Sequence, residues 1–186
     1  MLTAASNFSA VVKKLGLPLI VKPAREGSTI GLSKVMRMQD LEPAFRQAAR
    51  HDSLVIAEKF ISGPEVTVSI LDDQALPLIR IEAPGGNYDY HAKYFSDETR
   101  YFCPSGIDPA LESKVQKLAV DAFRILGCRS WGRVDVIVDE KGKPWLLEVN
   151  TVPGLTGHSL VPMAAKAAGL SFDDLVVRIL VGASVE

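Results

Sequence analysis

Phe8, Val11, Val12 and Leu15 recur at helical spacing, which predicts an amphipathic helix over residues 7–15 that Gly16 ends. Residues 18–22 form a short apolar run, a predicted buried strand. The loop PAREGSTIG (23–31) then leads to a second strand at 32–36. Leu41, Ala44, Phe45 and Ala48 mark one face of a helix over 39–50. Further strands are expected at 55–58, 65–71 and, after a turn at Asp72-Asp73, 76–82. Residues 83–105 keep no period and mix glycine, tyrosine and charge, as a long functional loop does. Asp108 and Pro109 open a long helix whose apolar face is Leu111, Val115, Leu118, Ala119, Ala122 and Leu126. A hairpin of 131–138 and 143–149 turns across Glu140-Lys141-Gly142. Helices over 159–168 and 172–181 close the chain, the last opened by the capping box Ser171 and Asp174. Helices thus alternate with mainly antiparallel strands in two blocks, predicting an α+β chain with two lobes and a cleft between them, divided as 1–62 and 63–186.

The hairpin carries the most chemistry. Alternation places Val134, Val136 and Val138 toward a core and Arg133 and Asp135 on the other face. On the return strand Trp145, Leu147 and Val149 are expected to share one face, and Glu148 and Asn150 the other. Folding about the turn sets Asp135 opposite Glu148 to within about a residue. Two carboxylates and an amide oxygen on one side repel unless a cation joins them, and hard oxygens of this kind suit Mg2+ shared with substrate phosphates. A solvated strand face is the alternative. Arg133 favours the site, since its planar fork suits phosphate or developing negative charge.

Three other segments carry weaker signals. PAREGSTIG has the small residues that let backbone N–H groups approach phosphate, with Lys22 just before it, but matches no standard phosphate-loop pattern, and taken alone it reads better as a plain turn. A buried strand lysine such as Lys22 needs an anionic partner. The segment from Glu58 to Glu65 is readable as an edge for adenine and ribose or as a solvated crossover. The glycine-rich loop after Asn150 delivers Ser159 to a helix start, as an N-cap, a carboxylate site or both.

Composition narrows the field. The 186 residues are 47% hydrophobic, enough for a sizeable core without disulfides or a structural metal. With 22 acidic and 21 basic side chains there is no broad basic field for nucleic acid or an anionic membrane surface. No apolar run approaches the roughly 20 residues that span a bilayer. Cys103 and Cys128 are far apart with no zinc-ligand spacing, so two unpaired thiols in a reducing cytoplasm are expected.

The motifs VKPAREGSTIG, EKFISGPEVTV, YDYHAKY, WGRVDV and LLEVNTVPGLTGHSLVP occur in the order and at roughly the spacing of D-alanine:D-alanine ligases. The chain resembles that ATP-grasp family over about residues 13–181. The resemblance implies the ATP-grasp fold, two α/β lobes with largely antiparallel sheets enclosing an ATP cleft. It implies that Lys22 and Lys93 bind ATP phosphates, that Glu58, Lys59, Ile61 and Glu65 hold adenine and ribose, and that Asp135, Glu148 and Asn150 ligate two Mg2+ ions, with Mn2+ as a substitute. Arg133 and the Gly154 backbone match groups stabilising a tetrahedral intermediate, and Ser159 matches the group holding the second D-alanine carboxylate. Ser28 and Tyr94 match members of a trio that closes residues 83–105 over the site as a lid.

The implied reaction joins two D-alanines through an acyl phosphate at the expense of ATP, for cell-wall precursor synthesis in the cytoplasm, by a chain that can pair as a homodimer. Family members normally carry a preceding domain of roughly a hundred residues or more for the first D-alanine. Its absence here leaves a catalytically inactive Mg-ATP-binding fragment, or another ATP-grasp carboxylate-amine ligase, as alternatives.

Overall fold

The structure, a computed structural model, describes residues 1–27, 29–82 and 99–183. Ser28, Lys93 and Tyr94 lie outside the described residues. Two units are formed, one containing Met1–Ile61 and the other beginning at Ser62.

In the first unit, helix α1 (Phe8–Leu15) is capped by Asn7, whose side chain accepts the Ala10 N–H at 3.0 Å. Strands β1 (Leu19–Pro23), β2 (Ser33–Val35) and β3 (Val55–Lys59) form an antiparallel sheet with β1 in the middle. The expected helix over 39–50 begins instead as a 3-10 turn, Met38–Asp40, before α2 (Leu41–Ala48). Leu19, Val21, Val35 and Val55 from the sheet and Leu41, Ala44 and Ala48 from α2 make one core, each large side chain contributing about 1.5–3 kcal/mol on burial.

A buried carboxylate ties the loop after β1 to this sheet. Asp52, 8% exposed, accepts the Arg25 Nε and backbone N–H and the Leu54 N–H, all at 3.0 Å, and also pairs with Arg25 Nη2. The Arg25 side-chain hydrogen bond, then the Leu54 N–H, hold the Asp52 carboxyl well below the usual carboxylate range. A depressed folded pKa adds stability that is complete above the unfolded value, about 3.9, and is lost as pH falls from there through the folded value. Asp52→Asn is therefore expected to lower Tm at neutral pH and to flatten the fall in Tm below about pH 4. Thermal melts of both proteins against pH check this.

The second unit is built on one antiparallel sheet in the order β7-β6-β4-β8-β9, with the two-residue β5 (Gln74–Ala75) also on β4. Its strands are β4 (Glu65–Leu71), β6 (Ile79–Glu82), β7 (Arg100–Phe102), β8 (Trp131–Val138) and β9 (Pro144–Asn150). Helix α3 (Pro109–Ile125), capped by Asp108 with Pro109 in its first turn, places Val115, Ala119 and Phe123 against Val66, Val68, Val134 and Val136. On the opposite face, α4 (Leu160–Ala167) and α5 (Phe172–Val181) pack against Leu71, Ile79 and Ile81, and α5 keeps the expected capping box at Ser171 and Asp174. With helices on both faces, β4 is buried along nearly its whole length.

Three expectations need correction. The single strand over 76–82 is broken, because the Leu76 N–H returns to the Ser69 carbonyl and the Leu78 N–H goes to Glu112 Oε1 at 3.3 Å. The loop over 83–105 does not extend to its predicted end. Residues 100–102 pair with β6, and the buried Ser105 donates to Glu112 Oε2 at 3.1 Å while its carbonyl accepts Arg80 Nε at 3.0 Å.

The third correction concerns the hairpin. Val134 pairs with Val149 and Asp135 with Glu148, but Val136 pairs with Leu146 and Ile137 with Trp145. Leu147 is therefore an extra residue, a bulge, and Trp145 shares the face of Ile137 instead of that of Val149. The turn is held by Asp139, which accepts the Lys141 and Lys143 N–H groups and the Trp145 indole N–H, each at 2.9 Å. Those bonds, the Trp145 one first, keep the Asp139 carboxyl below its ordinary range. Before the turn, Gly63 approaches β8 so closely that a Cβ there would lie 1.9 Å from the Val138 carbonyl oxygen.

Candidate active site

The sheet register builds the site. Asp135 has Thr67 on one side and Glu148 on the other, and Arg133 lies between Ser69 and Asn150. Directly paired residues share a face, so these six form two polar rows across β4, β8 and β9. Thr67, Ser69 and Asp135 are buried, Arg133 and Asn150 are partly buried, and Glu148 is exposed.

Asp135 is the hub. Its Oδ1 accepts Thr67 Oγ1 at 2.6 Å and Arg133 Nε at 2.9 Å; its Oδ2 accepts Arg133 Nη2 at 2.9 Å and Asn150 Nδ2 at 3.0 Å. A carboxylate offers about four lone pairs. All four are engaged, so a cation reaches Asp135 only by replacing a donor.

The residues fit Mg2+ by type and placement. Among the described residues no three His, Cys, Asp or Glu side chains come together as a metal cluster. The face holds instead two carboxylates in register and one amide, and Mg2+ commonly takes one or two protein carboxylates with the rest from phosphates and water. The Glu148 side chain is open to solvent and has no hydrogen bond or ion pair among the described residues. Asn150 must turn its amide to present oxygen rather than nitrogen, and Arg133 must yield.

Past β9, the chain passes through Gly154 to Ser159, which precedes α4 without capping it by its side chain. The Ser159 hydroxyl turns back, accepting the Thr156 N–H at 2.9 Å and meeting Thr156 Oγ1 at 2.9 Å. A Cβ on Gly154 would lie 3.0 Å from Ser159 Oγ, so the absence of a side chain at 154 leaves room for that hydroxyl. Ser159 thus takes the expected N-cap position, but its side chain makes no capping bond. Ser159 therefore leaves the α4 N–H groups without a side-chain cap, as an anion site would need.

In the first unit Lys22 is half-buried and pairs with Glu58 at 3.0 Å. The anionic partner inferred for a buried Lys22 is thus met within the protein, and its burial alone no longer argues for phosphate. Glu58 and the exposed Lys59 end β3, and Ile61 closes the first unit; Glu65 opens β4 in the second. Both cysteines are free thiols, and burial followed by the nearby Glu112 charge pushes the Cys103 pKa up.

Residues 2–181 match the family model described as D-ala D-ala ligase C-terminus. The chain belongs to this family. D-alanine–D-alanine ligases of Nitrosomonas eutropha and Nitrosomonas europaea are 62% and 61% identical over 180 residues, 97% of this chain. The chain spans 59% of the length of each of those ligases. Among solved structures, a D-alanine–D-alanine ligase from Bacillus anthracis superposes with a TM-score of 0.83 at 36% identity, covering 95% of this chain and 57% of that one. A D-Ala:D-Ser ligase from Enterococcus faecalis gives 0.81 at 35%, covering 94% and 53%. The fold is therefore that of the ATP-grasp ligases, with mixed helices and antiparallel sheets.

Within this ligase fold, sequence reasoning passed over Thr67, Ser69 and Thr156. Thr67 and Ser69 were visible as the two hydroxyls in the otherwise apolar strand EVTVSIL, and a buried hydroxyl calls for a partner. Thr67 has one in Asp135, whereas the buried Ser69 Oγ has none among the described residues.

Proposed function

We propose that this chain is the ATP-binding and catalytic part of a D-alanine:D-alanine ligase acting in the cytoplasm on cell-wall precursors. The observation that carries the reading is the polar face in which Arg133, Asp135, Glu148 and Asn150 stand in register, in a chain 62% identical to a ligase of that name. The carboxylate of one D-alanine attacks the γ-phosphorus of ATP and ADP leaves. The amine of a second D-alanine then attacks the acyl carbon, and phosphate leaves. Bound Mg2+, or Mn2+ in its place, would offset phosphate charge, with Asp135, Glu148 and Asn150 as its protein ligands.

The remaining roles follow from each group's chemistry. Arg133, released from Asp135, presents its fork to the oxyanion formed when the amine attacks, together with the Gly154 N–H. Ser159 and the open start of α4 hold the carboxylate of the second amino acid. Lys22 and Lys93 bind phosphates, while Glu58, Lys59, Ile61 and Glu65 hold the adenosine. Ser28 and Tyr94 help close the segment from residue 83 over the acyl phosphate, keeping water out. On this reading the smaller lobe, 1–62, supplies Lys22, Glu58, Lys59 and Ile61 to the nucleotide, and the larger one, 63–186, supplies Glu65, the metal ligands and the amino-acid contacts.

Phosphate release dependent on both ATP and D-alanine is the test, run on the chain alone and mixed with the N-terminal portion of a full-length relative. Release in the mixture supports the ligase. A rise in Tm with Mg-ATP but no release in either case would favour a nucleotide-binding fragment. Faster release with D-serine or another amine would favour a different carboxylate-amine ligase.

A further inference from the structure

Among the four donors on Asp135, Thr67 differs from the others in how firmly it is held. It lies in β4, flanked by β6 and β8, and is fully buried. Its β-branched side chain has restricted rotamers. Its single proton has two acceptors within reach, Asp135 Oδ1 at 2.6 Å and the Val134 carbonyl at 3.4 Å, and the distances assign it to the carboxylate. A bond this short to an ionised oxygen is of the stronger, charge-assisted kind. The donors to Oδ2, by contrast, are the end of a long arginine and an amide in the last residue of β9.

We propose that Thr67 is a positioning residue for the metal site: its hydroxyl anchors Asp135 through Oδ1, leaving Oδ2 as the oxygen whose donors can be exchanged. The proposal rests on the reading of Asp135 as a metal ligand. Carboxylates that bind metals are commonly oriented by a hydrogen bond from outside the ligand set, and loss of such a bond typically weakens metal binding about 10–100-fold. Arg133 is unsuited to this role because it must leave Asp135 to act elsewhere.

Mn2+ binding to the purified chain, followed by electron paramagnetic resonance, separates the possibilities. Asp135→Asn is expected to remove Mn2+ binding; if it does not, the metal-site reading fails and this proposal with it. Given that loss, Thr67→Val is expected to raise the Mn2+ Kd about 10–100-fold and Thr67→Ser to restore it nearly to the wild-type value. Thr67→Ala, which adds no bulk, gives the same loss should Thr67→Val fold poorly. Wild-type affinity in a folded Thr67→Val or Thr67→Ala protein, alongside loss in Asp135→Asn, would overturn the proposal and leave the metal site standing. Failure of Thr67→Ser to restore binding would also overturn it, since the methyl group and not the hydroxyl would then be acting.

Discussion

Arg133→Ala, measured with the N-terminal portion of a full-length relative supplied, is expected to lower kcat by roughly 10²-fold or more while the KM for ATP changes little. The reason lies in when the guanidinium is used. In this structure both of its donors to Asp135 are satisfied at 2.9 Å, so the ground state already stabilises the charge. On the proposed role, its value to catalysis would arise only when negative charge develops on the substrate and the fork is released to meet it. Arg133→Lys is expected to recover part of the rate, because a point charge cannot reproduce two parallel donors. The same substitutions leave the buried Asp135 with Thr67 and Asn150 as its donors, so a lower urea midpoint is expected as well. Steady-state kinetics on folded protein separates the two effects: a raised KM for ATP with unchanged kcat would make Arg133 a ground-state phosphate ligand.

The same economy occurs in the first unit, where Lys22 pairs with Glu58. In each unit a cation assigned to the reaction is neutralised by a carboxylate assigned to the same site. Neither pairing could be read from residue types, since alternation gives the face of a side chain and not its partner on it. What was legible depended on local chemistry. The end of α1 followed from Gly16 and the start of α5 from Ser171 and Asp174, whose capping bonds are made within a few residues. The Asp135 and Glu148 pairing followed from a tight turn a few residues away.

Tertiary contacts decided the rest. The Leu147 bulge has no turn residue to announce it, and β7 is three residues long with its partner across a wide gap in sequence. The break between β5 and β6 depends on Glu112, which lies far along the chain on α3. Thr67 was passed over because a threonine in a strand is ordinary until its neighbour is known to be a buried carboxylate. The bulge also has a consequence for the site. By inverting the alternation beyond Leu147, it takes Leu146 off the face that Asp135 shares with Glu148 and Asn150 and brings Trp145 onto it, where the indole N–H donates to Asp139 in the hairpin turn.

Glu148→Gln is expected to weaken Mn2+ binding by at least about tenfold, or 1.4 kcal/mol, and Glu140→Gln to leave it unchanged. Both side chains are exposed and only a few residues apart, but Glu140 lies in the hairpin turn, whereas Glu148 pairs directly with Asp135. The Glu148 side chain has no hydrogen bond or ion pair among the described residues, so its replacement by an isosteric amide removes charge without breaking a contact there. Substitutions of this kind usually alter stability by no more than about 0.5 kcal/mol, and the urea midpoints of both variants should therefore match the wild type. A loss of affinity in Glu148→Gln at unchanged stability would tie the effect to the ion. Parallel titrations of the two variants, followed by the electron paramagnetic resonance of free Mn2+, make the comparison. Equal affinities would place the metal away from the strand face that Asp135 and Glu148 share, and would remove the electrostatic reason for two carboxylates to stand opposite one another there.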